Sequence, residues 1–224
     1  MRRQSRITWV YRLVMLLVAP IIRGWGRLEV RGLEQLPGHG PCLLIGNHDS
    51  HWDPLVIGVA ALPVRPIRAL AKSSLWRSAA LAWILDGMGQ FPITRGVADR
   101  AELAAVTAGL ARGQCVGIFC EGTISRGQQL RAYSGAGWLA RSVPSSRAVG
   151  VAVTGSVDIV RFPRRPWIKV EFFSLREGDR RPAESSIGFS RRALVELREK
   201  APAVPAGRSP QPSPIVIGPA SDTA

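Results

Sequence analysis

The chain has 224 residues, 46% of them apolar, with a mean hydropathy of +0.08. That is enough to bury one sizeable core, and it excludes a chain that is disordered or collagen-like throughout. Thirty Lys and Arg against sixteen Asp and Glu give a formal charge of +14, and only Lys72, Lys169 and Lys200 among the cations are not arginine. Such a surface is drawn to polyanions, phosphate head groups or nucleic acid among them. Aromatics at 7% offer no obvious stacking platform for single strands, so nucleic acid is not expected as a partner unless the chain is a non-enzymatic basic protein that binds membrane or nucleic acid through charge alone.

Residues 1–26 begin with Arg2, Arg3 and Arg6 and continue into an apolar run from Ile7 to Ile22. At about 1.5 Å per residue that run falls short of the roughly 30 Å hydrocarbon core of a bilayer. Arg12 inside it counts further against spanning, and no Ala-x-Ala exit marks a signal peptide. The expectation is a helix lying in the membrane interface with Trp9 at head-group depth; the alternative is a helix packed on the domain.

From residue 27 the pattern alternates. Leu28–Arg31 and Pro41–Gly46 read as strands, and Pro54–Leu62 as a helix with Asp53 as its N-cap and Pro54 in its first turn. Ile67–Ala71 reads as a strand, Trp76–Leu85 as a helix and Gly89–Thr94 as a strand. Ala98–Arg112 is a helix with Leu103, Val106 and Leu110 at helical spacing, and Gln114–Cys120 is a strand of the fully buried kind. Ala136–Arg141 is helical, Ala148–Val153 and Trp167–Phe173 are strands, and a last helix starts near Ser190 with Ala193, Leu194 and Leu197 inward. Strands alternating with helices predict an α/β domain over residues 27–200. Residues 201–224 hold six prolines and two charges and are expected to be disordered. Cys42, Cys115 and Cys120 lie in the apolar strands and are expected as buried free thiols.

The densest polar cluster is Asn47-His48-Asp49-Ser50-His51-Trp52-Asp53-Pro54, directly after the apolar run Cys42–Ile45. A His at a strand end and a carboxylate five positions on can fold back into a hydrogen-bonded pair. The carboxylate holds one ring nitrogen as N–H, and the other is left to take a proton from a hydroxyl. Other readings stay open on these residues alone. One is that Asp53 serves only as a helix cap with His48 satisfying turn backbone; another is that His48, His51, Asp49 and Asp53 ligate a divalent metal in an ester or thioester hydrolase. A second turn, Phe119 to Gly127, again follows a buried strand. Gly122 permits close approach of a ligand, and Thr123 offers a donor to an anion. Lys72, Arg95 and Arg126 are candidates for binding phosphate.

Asn47, His48, Ser50 and Asp53 match the Asn-His-x-Ser-x-x-Asp block of the 1-acylglycerol-3-phosphate acyltransferases, and the chain resembles that family in three further blocks. Ala71-Lys72-Ser73-Ser74-Leu75 is similar to its Ala-Lys-x-x-Leu segment. Gly89 to Arg95 is similar to Gly-x-Ile-Pro-Ile-Asp-Arg, and Phe119 to Ser125 to Phe-Pro-Glu-Gly-Thr-Arg-Ser. Cys120 and Gly150 stand where proline is usual, and Ile124 where an arginine helps hold the acceptor phosphate. The resemblance implies a mixed sheet flanked by helices, as in glycerol-3-phosphate acyltransferases. It implies acyl transfer from acyl-CoA or acyl-carrier protein to a lysophospholipid hydroxyl at the cytoplasmic membrane face, with no cofactor and no metal. His48 would be the base and Asp53 its orienting partner. Lys72, Arg95, Glu121, Gly122, Thr123 and Arg126 would shape the acceptor site, supported by Asn47, Ser50 and Gly89. Another lysolipid or a glycolipid is the alternative acceptor.

Overall fold

A computed structural model describes residues 8–94, 100–161, 163 and 165–205. Arg95 and the tail beyond residue 205 lie outside the described residues, as do residues 1–7 and 96–99. The strands are β1 (Arg27–Arg31), β2 (Cys42–Gly46), β3 (Ile67–Lys72), β4 (Phe91–Ile93), β5 (Cys115–Phe119), β6 (Arg147–Thr154) and β7 (Trp167–Ser174). The helices are α1 (Trp9–Pro20), α2 (Asp53–Ala61), α3 (Ala79–Met88), α4 (Arg100–Ala111), α5 (Gly135–Ser142) and α6 (Ser186–Lys200). One mixed sheet runs β1-β7-β6-β2-β5-β3-β4, antiparallel only between β6 and β7.

Alternation along the strands builds two cores. Cys42 and Leu44 of β2 face α1, α2 and α3, together with Val149, Val151 and Val153 of β6. Leu43 and Ile45 face α4, α5 and α6, packed on Val106, Leu110, Leu139, Phe189 and Leu197. β2 is buried at every position because both of its faces are covered, which is why its sequence is a continuous apolar run.

The sequence expectation of an α/β domain holds, with local shifts. The helix expected at Trp76–Leu85 begins three residues later, because Ser78 caps it through Leu81 N and Ser73–Arg77 forms a short 3-10 turn. Gly89 does not open a strand. It ends α3 in the left-handed region at φ +71° and donates to Asp86 O and Leu85 O. The last helix starts at Ser186, capped by the Ser185 hydroxyl. At Gly150, where the acyltransferase pattern has proline, a Cβ would overlap the Phe173 ring, so a side chain fits only if that ring moves. Ala201 and Val204 are buried, so packed chain continues into the segment expected to be disordered.

α1 docks on the domain along one face. Val10, Tyr11 and Met15 are buried, the Tyr11 hydroxyl accepts from Ile67 N at 3.2 Å, and Gly58 and Gly87 leave the space that Met15 and Val10 fill. The opposite face is open and apolar apart from Arg12: Leu16 is 70% and Leu17 64% exposed, and Trp9 meets the exposed Trp83 of α3 edge to face at 5.6 Å. No helix among the described residues is long and apolar enough to cross a membrane.

Candidate active site

The site follows from strand register. Gly46 of β2 pairs with Phe119 of β5 on one side and with Val151 of β6 on the other. The turns that leave β2 and β5 therefore emerge side by side at the C-terminal edge of the sheet, where open α/β sheets bind their ligands. The Asn47 side chain stitches the first turn to β6, donating to Val153 O at 2.9 Å and accepting from Val153 N at 2.8 Å. The His48 backbone is clamped by the second turn. Its N–H donates to Glu121 Oε2 at 3.2 Å, and its C=O accepts from Ser125 N at 2.8 Å.

The His48 Nδ1 lies 3.0 Å from Asp53 Oδ2. An ionised carboxylate only accepts, so Nδ1 carries the hydrogen and Nε2 keeps its lone pair. The ring stacks on Phe119, with centroids 4.2 Å apart and planes inclined by 12°. Asp53 is wholly buried, and its Oδ2 also accepts from Asp49 N at 2.7 Å and Ser50 N at 2.8 Å, while Ser156 Oγ donates to Oδ1. The cap expectation is therefore corrected: Asp53 is the first residue of α2, and its carboxylate turns back into the preceding loop instead of forward to α2. A fixed aspartate behind a histidine is the arrangement of a general base, with the acid orienting the ring and stabilising its cation.

The metal reading needs four ligands to converge, and they do not. His48 and Asp53 bind each other, Asp49 is taken by Arg198, and His51 is exposed. No group of three or more His, Cys, Asp or Glu among the described residues is placed to hold an ion.

Two apolar clefts meet at His48, one on each face of the sheet. The first, about 600 Å³, opens toward α4 and α5 beside Gly122, Thr123, Tyr133 and Trp138. The second, about 580 Å³, runs under α2 and α3 beside His51, Leu85, Ile124 and Arg126. His48, Lys72, Phe119 and Thr123 border both. Sites of this size and lining suit amphiphiles with one reactive polar end.

Residues 27–160, more than half of the chain, match the Acyltransferase family. The chain belongs to the acyltransferase family. Two curated relatives share 32% identity: a 1-acyl-sn-glycerol-3-phosphate acyltransferase of Borreliella burgdorferi over 109 residues, and a lyso-ornithine lipid O-acyltransferase of Pseudomonas aeruginosa over 126. The matched stretches take in 48% and 56% of this chain but only 43% and 45% of those relatives. The crystal structure of a 1-acyl-sn-glycerophosphate acyltransferase from Thermotoga maritima shares the fold, with a TM-score of 0.64 at 15% identity over 84% of this chain and 77% of the other.

Within this acyltransferase-family site the structure sorts the residues named from the sequence. Lys72, at the end of β3, borders both clefts, Gly122 the first, Thr123 both and Arg126 the second. Gly122 and Arg126 sit in the left-handed region at φ +63° and +52°, which gives the turn its shape. Ser50 supports the turn from within, its hydroxyl accepting from Trp52 N at 3.2 Å. Glu121 borders the first cleft with both carboxylate oxygens already engaged, by Arg198 and by His48 N. Burial pushes the Glu121 carboxyl upward, and its bonds to the Arg198 guanidinium oppose that. Burial likewise pushes the Cys120 thiol up to about 12, aided by the Glu121 charge, so it is no nucleophile at neutral pH.

Three residues have no site role in the sequence reading. Ser156, in the 3-10 turn after β6, and Phe119, at the end of β5, hold the His48–Asp53 pair. Arg198 of α6 reaches across 149 positions to Asp49. Its only local signal is a charge four residues after Leu194, on the helix face that turns inward.

Proposed function

We propose that the chain moves a fatty acyl group from acyl-CoA or acyl-carrier protein to the hydroxyl of a lysophospholipid, most simply 1-acylglycerol-3-phosphate to phosphatidate. The observation that carries this reading is the buried His48–Asp53 pair at the point where two apolar clefts meet. His48 Nε2 takes the hydroxyl proton as the acceptor oxygen attacks the thioester carbonyl. The tetrahedral intermediate collapses with cleavage of the C–S bond, and the imidazolium returns its proton to the departing thiolate. Asp53 stabilises the imidazolium between the two transfers. No covalent enzyme intermediate is formed, in keeping with a sequence that has no Gly-x-Ser-x-Gly elbow.

Lys72, Arg95 and Arg126 supply the positive charge for the acceptor phosphate, Arg95 from outside the described residues. Lys72→Ala and Arg126→Ala are expected to raise KM for a phosphate-bearing acceptor by about 10-fold. A neutral lysolipid should be little affected; equal loss on both argues against a phosphate role. A second acceptor class, lysolipids without phosphate, is favoured by Ile124, which puts an apolar side chain in the second cleft where the family pattern has arginine. A lipid-class profile of products from a mixed lysolipid panel with labelled donor separates the two.

The open face of α1 suits the membrane surface, with Leu16, Leu17 and Trp9 in the interface and the site held close to lipid at the cytoplasmic face. Leu16→Glu with Leu17→Glu should lower binding to anionic lipid vesicles by about 100-fold while leaving the fold intact. Undiminished co-sedimentation would remove α1 as the anchor.

A further inference from the structure

Three carboxylates crowd the first turn. Asp53 bonds to the His48 ring, Glu121 to the His48 backbone, and Asp49 follows His48 directly with a buried side chain. Asp49 and Glu121 are joined by one cation. The Arg198 guanidinium makes a forked contact to Asp49, Nη1 to Oδ2 at 2.9 Å and Nη2 to Oδ1 at 3.0 Å. Its Nε donates to Glu121 Oε1 at 3.0 Å, and Nη2 also reaches Glu121 Oε2. Nη1 ties off at Ala201 O, 3.1 Å away, so the α6 terminus is part of the same knot. Ser125 Oγ and Asn47 Nδ2 complete the shell around Asp49.

We propose that Arg198 is a positioning residue for acyl transfer: it neutralises Asp49 and Glu121, so that His48 works beside a single uncompensated carboxylate, that of Asp53. This rests on His48 as the general base. A planar fork meets two carboxylates at once, which a lysine ammonium does not. Burial opposes the charge of Arg198, but its bonds to Asp49 and Glu121 outweigh that and hold the guanidinium above its ordinary value. Arg198 lies beyond residues 27–160, so the family match does not include it.

The electrostatic consequence has a definite sign. Among the described residues, the titratable and charged groups around His48 are Asp53 of α2, Asp49 and His51 of its own turn, Cys120 and Glu121 after β5, Tyr133 ahead of α5, Lys72 of β3, Arg126 of the second turn and Arg198 of α6. Removing Arg198 leaves Asp49 and Glu121 uncompensated beside the ring. Both then favour the imidazolium, which cannot accept a proton. The base form is recovered only at higher pH.

The test is the pH profile of kcat/KM for the full chain and for Arg198→Met, Arg198→Lys, Asp49→Asn and the double variant Arg198→Met with Asp49→Asn. Arg198→Met should move the acidic limb up by about one pH unit, a roughly tenfold loss on that limb, with KM for donor and acceptor near wild type. Arg198→Lys, which keeps the charge without the fork, should restore part of the limb position, and the double variant should bring the limb back toward wild type. An unmoved limb with a uniform rate loss, or a raised KM, overturns the proposal. Should Arg198→Met not fold, Asp49→Asn alone must move the limb to lower pH, and no movement is equally fatal. His48→Ala separates the two levels. If it keeps its activity, the general base itself is wrong; if it is inactive and the limbs coincide, only the role of Arg198 falls.

Discussion

His48→Ala is expected to fold and to lose acyl transfer by about 10²–10⁴-fold or more, the contribution of a positioned general base. The fold should survive because little depends on the ring. The variant gives up stacking on Phe119 and one bond to Asp53, while Asp53 Oδ2 keeps Asp49 N and Ser50 N. The His48 backbone stays clamped by Glu121 and Ser125 N. The measurement is transfer of a labelled acyl group from thioester to a lysolipid panel by purified protein, with thermal unfolding as the control. Transfer at the wild-type rate would refute the assignment of the base.

The second large effect is at Asp53, where chemistry and structure separate by choice of substitution. Asp53→Ala removes the acceptor for Asp49 N, Ser50 N, the His48 ring and Ser156 Oγ at once. Each buried donor left unmade costs about 1–3 kcal/mol, so this variant should lose several kcal/mol of stability together with activity. Asp53→Asn keeps an amide oxygen where Oδ2 stood and turns its NH₂ toward the Ser156 hydroxyl, which can accept as well as donate. It should retain most of the stability. It still loses about 10²-fold or more in kcat, because a neutral amide does not stabilise the imidazolium. A fully active Asp53→Asn would show that the carboxylate only orients the ring, and its charge would drop out of the mechanism.

Much of this site is legible along the chain because its parts are local. Apolar runs bounded by polar turns marked β2 and β5, and the five-residue spacing of His48 and Asp53 spans one strand-to-helix turn. The direction of the Asp53 carboxylate was not legible. An aspartate ahead of Pro54 serves a helix start equally well as a cap, and only the packed turn, with Asp49 N and Ser50 N pointing inward, decides which donors it meets. The helix starts at Ala79 and Ser186 slipped for a similar reason, since serines at 78 and 185 become caps only once the chain direction around them is fixed.

The amino-acid order by itself thus determined the class of fold, the family and the close spacing of His48 and Asp53, each carried by short local patterns. Tertiary structure alone decided which distant groups stand beside them. Pairing Gly46 with Phe119 brings Glu121 to the His48 backbone, and α6 crossing the sheet carries Arg198 to Asp49. Strand register and helix docking are set by how two apolar faces fill against each other across more than a hundred residues, and no local period records that choice.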